Sequence, residues 1–101
     1  MIELEEKYLK MVADILLIHA TDCRVLVFGS RIKGTQKKYS DLDLAFAKDD
    51  GTKLGLSRIC RIKEDFEESN LPIKVDVLDY YALSPEFKKI VDDRHVVFTQ
   101  S

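Results

Sequence analysis

Two apolar runs, joined by a polar connection, constrain the fold of this chain more than any other feature. Residues 25–28 form a β-branched and aromatic run that stops at Gly29. A second run, alternating at first and then wholly apolar, begins at Asp41. Runs of this length and composition are typical of buried β-strands. We therefore predict two core strands, over residues 24–28 and 41–47.

The other elements follow from the spacing of apolar residues. Positions three and four apart predict helices, and short β-branched runs predict strands. Ser84 followed by proline is a typical helix start, with the serine as cap. In 101 residues there is room for one domain, spanning 1–101. The predicted helices cover residues 3–19, 52–69 and 84–92, and the further strands cover residues 73–78 and 95–98.

The helix predicted over residues 52–69 has an unusual charge order. Its basic residues come early and its acidic residues crowd the C-terminal end, which opposes the helix dipole. We interpret the charges as a solvated face, with a docking surface for a partner as the alternative. The apolar stripe predicted to be buried comprises Leu56, Ile59, Cys60, Ile62 and Phe66.

Composition limits the classes of function. Lysine and arginine total 16 against 18 aspartate and glutamate, and the net charge is −2. This balance argues against nucleic acid as the main substrate, because proteins that bind nucleic acid usually carry a basic surplus. With neither a signal peptide nor a membrane-length apolar run, we predict a cytoplasmic protein, away from membranes, with Cys23 and Cys60 reduced in the core. A chain this small is also expected to have a partner subunit, as a homodimer or hetero-oligomer.

Three aspartates are candidates for a metal site. In a strand, residues two apart project from the same face, so Asp41 and Asp43 point together while Leu42 faces the core. Asp76 interrupts the apolar strand over residues 73–78, where a carboxylate needs a cation or hydrogen bonds. Carboxylates together with substrate phosphates are typical ligands of Mg²⁺, and a third carboxylate would complete a two-metal site.

The turn at Gly29 is a candidate phosphate site. Glycine allows close approach of the backbone to an anion, and a helix start offers N–H groups. Ser30 is predicted as the N-cap of a short helical turn that Gly34 ends. A P-loop is rejected, because Thr35-Gln36 stands where Lys-Ser/Thr is required.

The motif from Gly29-Ser30-Arg31 through Gly34 to Ser40-Asp41-Leu42-Asp43, with Asp76 beyond it, resembles the signature of the DNA polymerase β-like nucleotidyltransferases. Within that superfamily the chain is similar to the minimal nucleotidyltransferases (MntA-like). The resemblance implies an α/β (α+β) fold in which a small mixed β-sheet is flanked by helices. It also implies catalytic, metal-binding roles for Asp41, Asp43 and Asp76, and nucleotide binding by Gly29, Ser30, Arg31 and Ser40.

The same resemblance implies an activity and a partner. Relatives act as antitoxins that use Mg²⁺, with two ions expected, to transfer AMP from ATP to a tyrosine of a HEPN-type helical toxin. This is our first hypothesis. The alternative is a non-catalytic nucleotide-binding subunit that neutralises its partner by complex formation. Transfer to a small molecule is a weaker interpretation, since relatives of that kind carry an added domain.

Overall fold

The structure, a computed structural model, describes residues 2–34 and 40–99. The polar loop predicted over residues 36–39 lies outside the described residues. Within the described ranges no helix has the length and apolar character needed to cross a membrane. The helices are α1 (Glu6–His19), α2 (Ser30–Lys33), α3 (Leu56–Glu68) and α4 (Pro85–Asp93), the strands are β1 (Cys23–Phe28), β2 (Leu42–Lys48), β3 (Val75–Asp79) and β4 (Val96–Val97), and a 3₁₀ turn spans Tyr80–Ala82.

The strands form one mixed sheet in the order β3-β2-β1-β4. Strand β1 is antiparallel to both β2 and β4, whereas β2 and β3 are parallel. A parallel pair requires a crossover connection, and α3 supplies it. The predicted mixed sheet flanked by helices is confirmed, and β4 lies at one edge of the sheet.

Helices cover both faces of the sheet. On one face, α1 and α3 bury the main apolar cluster, to which β2 contributes Leu42, Leu44 and Phe46, each at most 1% exposed. On the other face, α4 inserts Val91 into a smaller cluster that contains Ala45 of the same strand. Because successive side chains of β2 point to opposite faces, its odd-numbered residues face the side of the sheet covered by α4.

Helix α3 begins four residues later than predicted, at Leu56, because the preceding segment is bound to β3. The Asp79 carboxylate accepts hydrogen bonds from the backbone N–H groups of Leu54 and Gly55, both at 3.0 Å. Leu54 is buried in this extended segment, whereas Leu56 is 78% exposed in the first helical turn. The prediction that Leu56 belongs to the buried stripe is therefore wrong.

Replacing Asp79 with alanine should destabilise the protein by about 2 kcal/mol, because two backbone donors lose a charged acceptor at a partly buried position. Asp50 offers a matched control, since its carboxylate accepts from Thr52 N–H and hydroxyl at an exposed turn. Asp50→Ala should cost clearly less. Chemical denaturation of both variants measures the difference; equal losses would contradict the role given to Asp79.

Cys60 is also exposed, so its predicted core position is wrong, and Cys23 is half-buried rather than buried. The buried stripe of α3 consists of Ile59, Ile62 and Phe66. Cys60 follows Ile59 and so lies about 100° further round the helix. That rotation moves its thiol away from the core.

Two of the unusually ordered charges of α3 are engaged by the end of α1. Arg58 donates to both carboxylate oxygens of Asp22, at 2.9 and 2.8 Å, and to the carbonyl of His19 at 2.7 Å. Two turns further along, Asp65 pairs with the imidazole of His19. These contacts hold α3 against the end of α1. They also explain part of the charge order of α3, because Arg58 and Asp65 bind partners within the protein.

The start of α4 is as predicted. The Ser84 hydroxyl accepts from Phe87 N–H at 3.2 Å, and Pro85 is the first helical residue. The Phe87 ring then meets Phe28 edge to face, with centroids 5.9 Å apart. Phe28, the last residue of β1 and the neighbour of Gly29, is therefore packed against an aromatic ring of α4.

Candidate active site

The predicted aspartates meet where β1 ends and where β2 and β3 begin. Asp43 pairs with Phe28 across the antiparallel strands and with Asp76 across the parallel ones. Since Leu42 and Leu44 face the main cluster, Asp43 projects from the opposite face, towards the α4 side. Asp41 comes directly before β2 and is half-buried. The topology thus brings Asp41, Asp43 and Asp76 to one end of the sheet, although Asp76 is far from the other two in the sequence.

The Asp43 carboxyl is the most perturbed group at this end. Partial burial raises its pKa to about 6, and a hydrogen bond with Asp76 and the negative charges of Asp76 and Asp41 act in the same direction. The ionised form of Asp43 is therefore disfavoured beside these carboxylates. A cation placed between them would relieve the repulsion.

Gly29 lies directly against this pair. Its φ is +83°, a region that L side chains rarely adopt, and a Cβ added there would lie 2.2 Å from Oδ2 of Asp43. Only glycine leaves room for the carboxylate. Gly29 also occupies the cap position of α2, so the prediction of Ser30 as N-cap is wrong; Ser30 is the first helical residue. Gly34 ends the turn in the left-handed conformation, as predicted.

Arg31 is buried beneath the turn, with 6% of its surface exposed. Its Nε and Nη2 donate to the carbonyl oxygen of Ser40 at 3.1 and 3.0 Å, and its Nη1 donates to that of Glu3 at 2.7 Å. Ser40 is half-buried and stands immediately before Asp41. Arg31 thus links the N-terminal segment to the residue directly before Asp41.

The donor set fits a hard divalent cation. Asp43 and Asp76 are already adjacent, and Asp41 acts on Asp43 through its charge. Across residues 2–34 and 40–99, no three His, Cys, Asp or Glu side chains are gathered into a preformed metal site. Asp43 and Asp76 are the adjacent carboxylates that would supply oxygen ligands to such a cation.

Residues 5–101, nearly the whole chain, match the family described as Polymerase beta, Nucleotidyltransferase. The chain belongs to the polymerase beta nucleotidyltransferase family. The Haemophilus influenzae protein named Probable protein adenylyltransferase MntA is 39% identical over 99 residues, which span 98% of this chain and 85% of that protein. The resemblance stated from the motif is confirmed.

Two solved structures share the nucleotidyltransferase fold. A crystal structure of a toxin-antitoxin with AMP-PNP aligns with a TM-score of 0.74 at 20% identity, covering 92% of this chain and 73% of that one. A structure assigned as a minimal nucleotidyltransferase aligns with a TM-score of 0.63 at 27% identity, covering 89% and 88%.

One charged residue beside the candidate site was not among the predicted ones. Lys74 Nζ lies 3.4 Å from Oδ1 of Asp76, and its side chain is largely exposed. It lowers the pKa of Asp43 and so partly offsets the acidic neighbours. The available signal was its position two residues before Asp76, because that spacing puts both side chains on one face of an extended segment.

Proposed function

We propose that this protein is an Mg²⁺-dependent nucleotidyltransferase that transfers AMP from ATP to a tyrosine hydroxyl of a HEPN-type toxin and thereby acts as its antitoxin. The observation that carries the proposal is the Asp43–Asp76 pair, partly desolvated and held against Gly29. Carboxylates brought together in this way favour a cation between them. The reaction would take place in the cytoplasm, where ATP is abundant.

The comparisons support the choice of acceptor and nucleotide. A relative with 39% identity is named as a protein adenylyltransferase, which favours a protein acceptor. A protein of the same fold was crystallised as a toxin-antitoxin with AMP-PNP, an ATP analogue, which favours ATP as donor and a toxin as partner. A partner protein would bring its own hydroxyl to the end of the sheet where Asp43 and Asp76 lie.

In the proposed reaction the acceptor hydroxyl oxygen forms a bond to the α-phosphorus of ATP, the bond from that phosphorus to the bridging oxygen breaks, and pyrophosphate leaves. Bound Mg²⁺ supplies charge stabilisation for the phosphoryl oxygens. Asp76 would accept the hydroxyl proton, since its carboxylate lies beside Asp43 in the adjacent strand. Asp41 and Asp43 would hold the metal ions, and Asp76 would join one of them.

Gly29 and Ser30 would bind the triphosphate. The absence of a side chain at Gly29 lets the phosphates approach the backbone next to Asp43, and the Ser30 hydroxyl adds a donor. Ser40 lies one residue from Asp41 and would contact the nucleotide from the other side. The prediction that Arg31 binds nucleotide stays a prediction, and its buried backbone contacts favour a different role.

The direct test measures the intact mass of a HEPN-type protein from the same genome after incubation with this protein. With ATP and Mg²⁺ we expect the partner to gain the mass of one or more AMP groups, and fragmentation should locate them on a tyrosine. Addition of EDTA, or omission of ATP, should abolish the gain. Thermal melting of the EDTA sample confirms that the chain remains folded.

An unchanged partner mass under all conditions would overturn the enzymatic proposal. If the two proteins still migrate together in gel filtration without nucleotide, and the partner is still inactive, neutralisation by complex formation takes its place. If the gain in mass appears on serine or threonine, the transfer stands but the tyrosine acceptor is wrong.

A further inference from the structure

We propose that Arg31 is a positioning residue, which fixes the backbone at Ser40, directly before Asp41, by tying it to the N-terminal segment. The inference rests on the proposed metal site at Asp41 and Asp43. It differs from the nucleotide-binding role predicted for Arg31, because the guanidinium acts on protein carbonyls.

The side chain of Arg31 is buried. Among the residues whose side chains the structure describes, Arg31 is the one charged or polar residue that is buried, with 6% of its surface exposed. Removing a guanidinium from water is costly unless its N–H groups are hydrogen-bonded. Three such bonds go to backbone carbonyl oxygens, two at Ser40 and one at Glu3. A group held in this way by the protein is poorly placed to reach a substrate.

The hydrogen bonds of Arg31 depend on the shape of its guanidinium group. The planar guanidinium donates through Nε and Nη2 to one oxygen and through Nη1 to another, a fork that lysine cannot reproduce. The backbone completes the arrangement, since Glu3 N–H donates to the Arg31 carbonyl at 2.7 Å. The neighbours of Glu3, Ile2 and Leu4, pack against the main apolar cluster. The N-terminal segment is therefore anchored, and Arg31 transmits that anchorage to Ser40.

The consequence for the site follows from chain connectivity. Asp43 is held by strand pairing on both sides, to Phe28 and to Asp76. Asp41 precedes β2 and lacks that pairing. Its backbone is held between Leu42, whose N–H donates to the Lys74 carbonyl at 3.0 Å, and Ser40, whose carbonyl accepts from Arg31. Groups that orient metal ligands typically contribute about 10- to 100-fold in metal affinity. Arg31 would act on metal binding through Asp41.

The test compares Arg31→Lys with wild type. Mn²⁺ alone, titrated into the full chain and followed by electron paramagnetic resonance, should bind the variant about 10-fold more weakly. At saturating metal, the KM for ATP should change by less than about 3-fold, because the guanidinium donates to backbone carbonyl oxygens and not to the nucleotide. A matched variant, Arg94→Lys at an exposed position, should bind Mn²⁺ as wild type does. Unchanged Mn²⁺ affinity in Arg31→Lys, or a KM for ATP raised by tenfold with metal affinity intact, would overturn the proposal.

A second measurement uses the unmodified chain and stays informative if Arg31→Lys fails to fold or if the wild type binds no metal. Hydrogen exchange of the Arg31 Nε proton, followed by NMR, should be at least about 10-fold slower than that of exposed Arg94, because the bond to Ser40 must open first. Exchange as fast as at Arg94 would remove the basis of the positioning role. Absence of Mn²⁺ binding by the wild type would count against the proposed function. Slow exchange would still support the hydrogen bonds between Arg31 and Ser40.

Discussion

Replacing Gly29 with alanine should reduce AMP transfer by at least about 100-fold, although only one methyl group is added. The new Cβ would stand 2.2 Å from Oδ2 of Asp43 and 3.2 Å from its Cγ, so either the carboxylate or the turn must move. A displacement of about 1 Å in a reacting constellation is enough for a 10²-fold loss. Transfer to the partner protein, followed by mass, measures the effect.

Gly51 provides the matched control for this substitution. Its φ of +79° is close to that of Gly29, but a Cβ added there would have no neighbour within 4 Å. Gly51→Ala should therefore share the backbone strain, about 1 kcal/mol, without the collision. It should lose some thermal stability and keep wild-type transfer. If the two alanine variants transfer AMP equally well, the contact between Gly29 and Asp43 has no catalytic importance.

Replacing Asp43 with asparagine should lower transfer by about 10³-fold, because the proposed metal ligand is lost. A factor of this size corresponds to an interaction of about 4 kcal/mol. The same substitution should stabilise the metal-free protein at neutral pH. The pKa of Asp43 is raised to about 6, so the folded state binds its proton more tightly than the unfolded state does. Ionisation of Asp43 therefore reduces the free energy of unfolding as the pH rises from about 4 to about 6.

Asparagine cannot ionise, so the gain should be complete above about pH 6 and should vanish below about pH 4. Because Asp43 is only half-buried, we expect about 1 kcal/mol, or about 5 °C in Tm. Thermal melts in EDTA across this pH range measure it. Asp50→Asn should behave in the opposite sense, since hydrogen bonds from Thr52 lower the pKa of Asp50. A melting difference between Asp43→Asn and wild type that is the same at pH 4 and pH 7 would contradict the assignment.

These two variants separate chemistry from folding. Gly29→Ala is expected to be less active and less stable, whereas Asp43→Asn is expected to be less active and more stable. A loss of activity caused by general unfolding would not produce both results. A gain in stability on removal of an active-site charge is the expected sign of a group held in place for function.

Most of the architecture was predictable because it depends on local pattern. The alternation at Leu42, Asp43 and Leu44 identified a strand with one face in the core, and Ser84-Pro85 identified the start of α4. The grouping of Asp43 with Asp76 was predicted from chemistry, and their pairing in adjacent strands agrees with it. The metal and nucleotide roles of these residues stay predictions.

The errors arose where a distant part of the chain decides a local structure. The start of α3 depends on Asp79, which is more than twenty residues away and captures the N–H groups of Leu54 and Gly55. The burial of Arg31, on which the sequence made no prediction, likewise depends on its contacts with Glu3 and Ser40. No spacing rule contains such contacts, because they exist only after the sheet has formed.

The register of β2 limits how this chain can change length during evolution. Leu42, Leu44 and Phe46 face the main apolar cluster, whereas Asp43 points to the opposite face of the sheet, beside Asp76. An inserted or deleted residue within the strand would exchange the two sets of side chains. Such a change would place a carboxylate in the core and a leucine in the active site in a single step. The exposed turn at Asp50-Gly51 carries neither set, and length variation among relatives should accumulate there while β2 keeps a constant length.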